Sequence, residues 1–89
     1  MNTELSKIID LINQSHYREA LKKIDRELTN NPNSFAMNKA KATTLFLEKK
    51  YNQALVAFNK CYDLNPQDYD VNVNISFIFN RVQDFKSSL

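Results

Sequence analysis

Tyr51 through Pro66 reads as a second printing of a stretch the chain has already used. Tyr17 and Tyr51, Ala20 and Ala54, Leu21 and Leu55, Ile24 and Phe58, Leu28 and Tyr62, and Pro32 and Pro66 each stand 34 residues apart. A period of that length belongs to arrays of helical units, where one unit cannot bury its apolar face alone and stacks on the next. A third copy opens at Phe85 and has reached Leu89 when the sequence ends. The chain contains no Gly and only two Pro, Pro32 and Pro66. Without Gly for tight hairpins, helices are favoured over a β-rich fold.

The helices follow from spacing. Leu5, Ile8, Ile9, Leu11 and Ile12 recur at intervals of three and four, which predicts a helix over about Thr3–Asn13, with Thr3 as its cap. After the polar break Asn13-Gln14-Ser15-His16, a second helix carries Tyr17, Ala20, Leu21, Ile24 and Leu28 inward. It ends at Asn30-Asn31-Pro32, where Asn tolerates a left-handed closing residue and Pro disfavours helix in the residue before it. Asn33 or Ser34 caps a third helix, about Phe35–Glu48, presenting Met37, Ala40, Leu45, Phe46 and Leu47. Lys49-Lys50 separates it from a fourth, Tyr51 to about Leu64. Breaks this short fold the two helices of a unit antiparallel. Asn65-Pro66 closes the second unit and Asp68 offers the next cap.

Beyond Tyr69 the local pattern changes. Val71, Val73, Ile75, Phe77 and Phe79 alternate with mostly polar residues, a strand-like signature. The repeat register overrides it: Tyr69 follows Phe35, and Phe79 follows Leu45 and Leu11, by the same 34-residue step. The expectation is therefore a helix over about Tyr69–Val82, then a short turn begun by Phe85 and capped by Asp84.

This arrangement resembles the tetratricopeptide repeat, whose unit is two antiparallel helices with a small residue late in the motif and a Pro near its end. With Met1, Phe35 and Tyr69 as first positions, the eighth position holds Ile8, Ala42 and Ser76, and the eleventh holds Leu11, Leu45 and Phe79. The twentieth holds Ala20, Ala54 and Ser88, and the thirty-second Pro32 and Pro66. The sequence departs from the family at the fourth position, where the usual Trp is Glu4, Asn38 or Asn72, and at the bulky Ile8. The resemblance implies an all-α, right-handed superhelical array of antiparallel helix pairs, a solenoid of five helices plus a short C-terminal turn. One domain would span residues 1–89, with repeats at about 1–34 and 35–68 and an incomplete third at about 69–89. Ala20 and Ala54 would lie where the paired helices cross most tightly, so that a bulkier residue overpacks by roughly 1–3 kcal/mol.

No catalytic constellation is visible. His16 is the one histidine and falls in a break, as a surface residue would. Cys61 takes a position where the family has a small buried residue, which makes it inert packing and leaves no partner for a disulfide. Acidic residues are scattered without the repeated spacing of a metal or acid–base site, and no cofactor is expected. Tyr17, Tyr51 and Phe85 form a core stripe and not a platform for bases. A net charge of +2, spread along the chain, gives no track for phosphates, and the apolar clusters are too short to span a bilayer. The start Met1-Asn2-Thr3-Glu4 has no signal-peptide character, so a cytoplasmic location is expected.

If function follows the family, it is protein binding in the groove lined by the first helix of each unit. The family's groove positions fall on Leu5, Ile9 and Ile12 (with Asn2 and Asn13), on Lys39, Thr43, Phe46 and Leu47 (with Ala36), and on Val73, Phe77, Asn80 and Arg81 (with Asp70). Some members clamp a chaperone's C-terminal carboxylate with Lys, Asn and Arg. The matching positions here are Leu5, Ile9, Ala40, Asp70 and Asn74, which supply neither the charges nor the donors. An apolar groove of this kind suits a hydrophobic peptide or an amphipathic helix. A second expectation comes from the incomplete third unit. Ile75, Ile78, Phe79, Val82, Phe85 and Leu89 would lack the cover of a following helix, an apolar patch that monomers rarely tolerate. Either the chain is the first part of a longer repeat protein or enzyme, or two copies pair through their last helices.

Overall fold

Two kinds of turn alternate along the chain, and each is built twice from the same atoms. The computed structural model describes the backbone of residues 3–88 and the side chains of residues 3–82. Met1, Asn2, Leu89 and the side chains of Asp84 and Phe85 lie outside the described residues, and with them the expectations resting on them. Five helices are present, α1 (Thr3–Asn13), α2 (Tyr17–Asn30), α3 (Phe35–Leu47), α4 (Tyr51–Leu64) and α5 (Tyr69–Ser88), with no strand among the described residues. α2 and α4 begin 34 residues apart, as do α3 and α5. Each helix packs on its neighbour in sequence, and α1 also touches α3.

The first kind of turn joins α1 to α2 and α3 to α4. Ser15 (φ 65°) and Lys49 (φ 63°) both adopt the left-handed conformation. Around Ser15, His16 N–H donates to Leu11 C=O (2.8 Å) and Ser15 N–H to Ile12 C=O (3.0 Å). Around Lys49 the matching bonds run from Lys50 to Leu45 (3.0 Å) and from Lys49 to Phe46 (2.9 Å). This nested pair is the Schellman closure, which satisfies carbonyls that a helix end leaves open. Glycine is the usual occupant of its left-handed residue, and a chain without Gly accepts strain there instead. The left-handed residue expected at Asn30-Asn31 is not found. Asn31 has φ −144° and ψ 77°, outside both the helical and the left-handed regions, and its N–H bonds back to Glu27 C=O; the following Pro32 disfavours helix in the residue before it.

The second kind of turn joins α2 to α3 and α4 to α5. Ser34 caps α3 by accepting from Met37 N–H (3.3 Å), and Asp68 caps α5 by accepting from Val71 N–H (3.0 Å). One turn into each helix, an Asn amide reaches back across the loop. Asn38 donates to Pro32 C=O (3.0 Å) and Ser34 C=O (2.7 Å). Asn72 donates to Pro66 C=O and Asp68 C=O, both at 2.9 Å. With Glu4, these two asparagines stand at the fourth position of the 34-residue register. A short amide ties each loop to the first turn of the helix that follows it.

The core forms two clusters that meet at α3. Ile8, Ile24 and Met37 hold α1, α2 and α3 together. Ala42, Leu45, Ala54, Phe58, Cys61, Val71 and Ile78 hold α3, α4 and α5. Ala20 and Ala54 are both fully buried. Two expectations for α3 change: Leu47 is exposed, and the inward set includes Asn38 and Thr44, the Thr44 hydroxyl being satisfied by Ala40 C=O (2.7 Å).

α5 differs from its expected form at its far end. It runs unbroken to Ser88 instead of stopping at Val82 and restarting at Phe85. Val82–Ser88 contains neither Gly nor Pro nor a polar cluster like the one that ends α1, so nothing interrupts the helix. The strand-like alternation resolves into helical spacing. Val71 and Ile78 are buried and Ile75 and Val82 half-buried against α4, Phe77 turns toward Phe46 of α3, and Val73 and Phe79 face outward.

Candidate functional site

α1 and α3 lie side by side and leave a cleft of about 420 Å3 between them. Leu5, Ile9 and Ile12 rise from α1 at spacings of four and three, so they share one face. Ala36, Lys39, Ala40 and Thr43 come from the facing side of α3, and Phe35 and Asn13 complete the lining. The walls are almost wholly apolar. Ile9 is 45 % exposed although it is large and aliphatic, so the cleft presents hydrocarbon directly to solvent. Seven of the expected groove residues, Leu5, Ile9, Ile12, Asn13, Ala36, Lys39 and Thr43, thus line one cavity. Phe35 and Ala40 line it too; neither was among the expected groove positions.

Lys39 is the one cation in this wall, and its charge is already engaged. Its ammonium lies 3.2 Å from both Asp68 oxygens and 3.4 Å from Asp70. It also sits 5.8 Å from the centre of the Phe35 ring. Burial would lower its pKa, but the hydrogen bonds to Asp68 and Asp70 outweigh that and hold it above its ordinary value. Asp68 is held below its ordinary value first by the Val71 N–H and then by Lys39. One carboxylate therefore caps α5 and anchors the groove lysine. A ligand carboxylate would have to displace Asp68 and Asp70 to reach Lys39.

The remaining groove candidates do not line this cleft. Phe46 packs edge-on against both Tyr51 (5.7 Å between ring centres) and Phe77 (5.5 Å). The Arg81 guanidinium stacks 5.0 Å from the centre of the Tyr51 ring. This aromatic bridge ties α3, α4 and α5 together. Leu47 and Val73 are exposed beside it, as is Asn80.

The residues expected to pair two copies divide as well. Ile78 is completely buried against α4 and is not on an open face. Ile75 and Val82 are half-buried in the same cluster, because α5 turns these residues toward α4. Phe79 alone among the described members is open, at 53 % exposure.

No protein-family model and no curated protein matches this chain. The tetratricopeptide likeness therefore rests on the residue register alone, and the rest of the site's chemistry must be read from its own groups. His16 is exposed at the start of α2 and caps nothing with its side chain. Cys61 is buried, and that burial pushes its thiol up to about 11, unlike a reactive cysteine. Among the described residues no group of three or more His, Cys, Asp or Glu could hold a metal ion. No described helix is long and apolar enough to cross a membrane.

Proposed function

We propose that this chain is a tetratricopeptide-like module, a right-handed array of helix pairs, which binds the apolar side chains of a peptide or amphipathic helix between α1 and α3 without catalysing a reaction. The observation that carries this reading is the open hydrocarbon cleft walled by Leu5, Ile9, Ile12, Phe35 and Ala36. Its volume falls in the range of roughly 300–1,000 Å3 in which proteins hold small apolar ligands or side-chain anchors. The engaged state of Lys39 argues for a neutral apolar anchor over a carboxylate tail. The lone buried cysteine suits a reducing compartment such as the cytoplasm.

The test is selection of helical and extended peptides from a displayed library on the whole chain, followed by NMR titration of a selected synthetic peptide. Binding should shift the methyl signals of Leu5, Ile9 and Ile12. Ala36→Trp, placed at an exposed wall position, should weaken binding by roughly tenfold or more, equivalent to about 1.4 kcal/mol, with helicity by circular dichroism unchanged. Shifts confined to α2 and α4 would overturn the assignment.

A further inference from the structure

α5 uses three faces. Val71, Ile75, Ile78 and Val82 face α4. Asp70 and Phe77 face α3, through Lys39 and Phe46. On the third face Tyr69, Asn72, Val73, Ser76, Phe79 and Asn80 are all exposed. Residues three and four apart share a helix surface, so these six form one stripe, with Tyr69 at its N-terminal end. From Asn72 to Asn80 the stripe reads alike in both directions about Ser76. Asn72 and Asn80 stand four residues to either side of Ser76, and the large apolar residues Val73 and Phe79 stand three to either side.

Such a pattern is self-complementary under a two-fold rotation, the symmetry of an isologous dimer. Laid antiparallel on a second copy, Val73 meets Phe79 of that copy and Asn72 meets its Asn80. The Asn72 amide nitrogen is committed to Pro66 and Asp68, which leaves its oxygen to accept from the Asn80 amide opposite. The two Ser76 residues face each other, and a small residue there permits the close approach that Ala20 and Ala54 permit within the helix pairs.

Charge points to the same occupant. From Val71 to Asn80 there are ten consecutive uncharged residues in a chain that is 25 % charged. Two copies would meet without like-charge repulsion, whereas a charged partner would lose its hydration and find no counterion. The repeat register identifies the surface as one meant for cover. Ile8 and Ala42 hold the place of Ser76, and Leu11 and Leu45 that of Phe79, in the earlier units. Ile8, Ala42 and Leu45 are buried and Leu11 is half-buried.

We propose that a second copy of this chain covers this face, with the two α5 helices packed antiparallel about a two-fold axis at Ser76. The surface is separate from the α1–α3 cleft, so the two readings stand or fall independently.

Sedimentation equilibrium of the full chain from low to high micromolar concentration tests it. The weight-average mass should double across that range. Ser76→Glu and Ser76→Arg, at an exposed site where folding is not at stake, should each stay monomeric with unchanged helicity. Mixed in equal amounts they should regain the doubled mass, because the axis sets each new charge against its opposite. A wild-type chain that stays monomeric overturns the proposal. So does a single variant that associates like wild type, a mixture that stays monomeric, or an Ala36→Trp variant that abolishes association.

Discussion

Asn38 and Asn72 make the same two hydrogen bonds 34 residues apart, but in different surroundings. Asn38 is buried and Asn72 exposed. Removing the buried Asn38 amide takes its donor from Pro32 C=O, while Ser34 C=O keeps the Asn38 backbone N–H (3.0 Å); a lost buried bond costs about 1–3 kcal/mol, whereas water can replace an exposed one. Asn38→Ala should therefore lower stability in urea by that amount, and Asn72→Ala by clearly less. Equal losses would mean that the bonds do not explain the residue. This role was not legible in the sequence. Periodicity finds apolar positions, and an Asn at an apolar position reads as a defect until its partner carbonyls are seen. Cys61 was legible, because an apolar slot in the register predicts burial whatever the residue's chemistry. With its thiol raised to about 11, the folded chain should react with Ellman's reagent near pH 8 far more slowly than the urea-unfolded chain. The same shift ties stability to alkaline pH. The contribution is complete below the unfolded thiol's pKa of about 8.5 and is lost as pH rises through about 11.

Helix boundaries were nearly all readable, because Pro32, Pro66 and the polar breaks mark them. What the pattern could not give was the conformation of the turns. Without Gly, the left-handed residue of each within-pair turn had no sequence signal, and it proved to be Ser15 and Lys49. Each bears a steric cost of about 1 kcal/mol that glycine avoids. Ser15→Gly and Lys49→Gly should each raise the thermal midpoint despite the entropy glycine adds to the unfolded chain, whereas Asn31→Gly, at a residue outside the left-handed region, should lower it. The N-terminus of α5 has a pH dependence of its own. Asp68 is held below its usual pKa, so what it contributes is present above about pH 4 and is lost as pH falls through its folded value. Acid should open the first turn of α5, seen as faster hydrogen exchange at the Val71 amide. Asp68→Asn keeps an N-cap and should make that exchange insensitive to acid.

At the scale of the molecule, α3 belongs to both apolar clusters, and α1 to the smaller one only. Local unfolding should follow that division. Hydrogen exchange should be slowest in α4, whose Ala54, Phe58 and Cys61 are all buried, and faster in α1. Phe58→Ala should cost about 3–5 kcal/mol and unfold the chain as a whole. Ile8→Ala should release mainly α1 and α2, leaving slow amides in α4. The candidate cleft was half legible for a related reason. The register named its α1 and α3 walls, but the aromatic bridge from Phe46 to Phe77 depends on ring orientation, which no spacing encodes.

The amide of Asn38 reaches a carbonyl only six residues behind it, and Asn72 does the same. The angle between one helix pair and the next helix is therefore written into a loop that closes on itself. From farther away each loop receives one lysine, Lys60 on Asn33 and Lys39 on Asp68. A joint of that kind can be copied or lengthened by whole units without redesign, in the way a hinge can be moved from door to door.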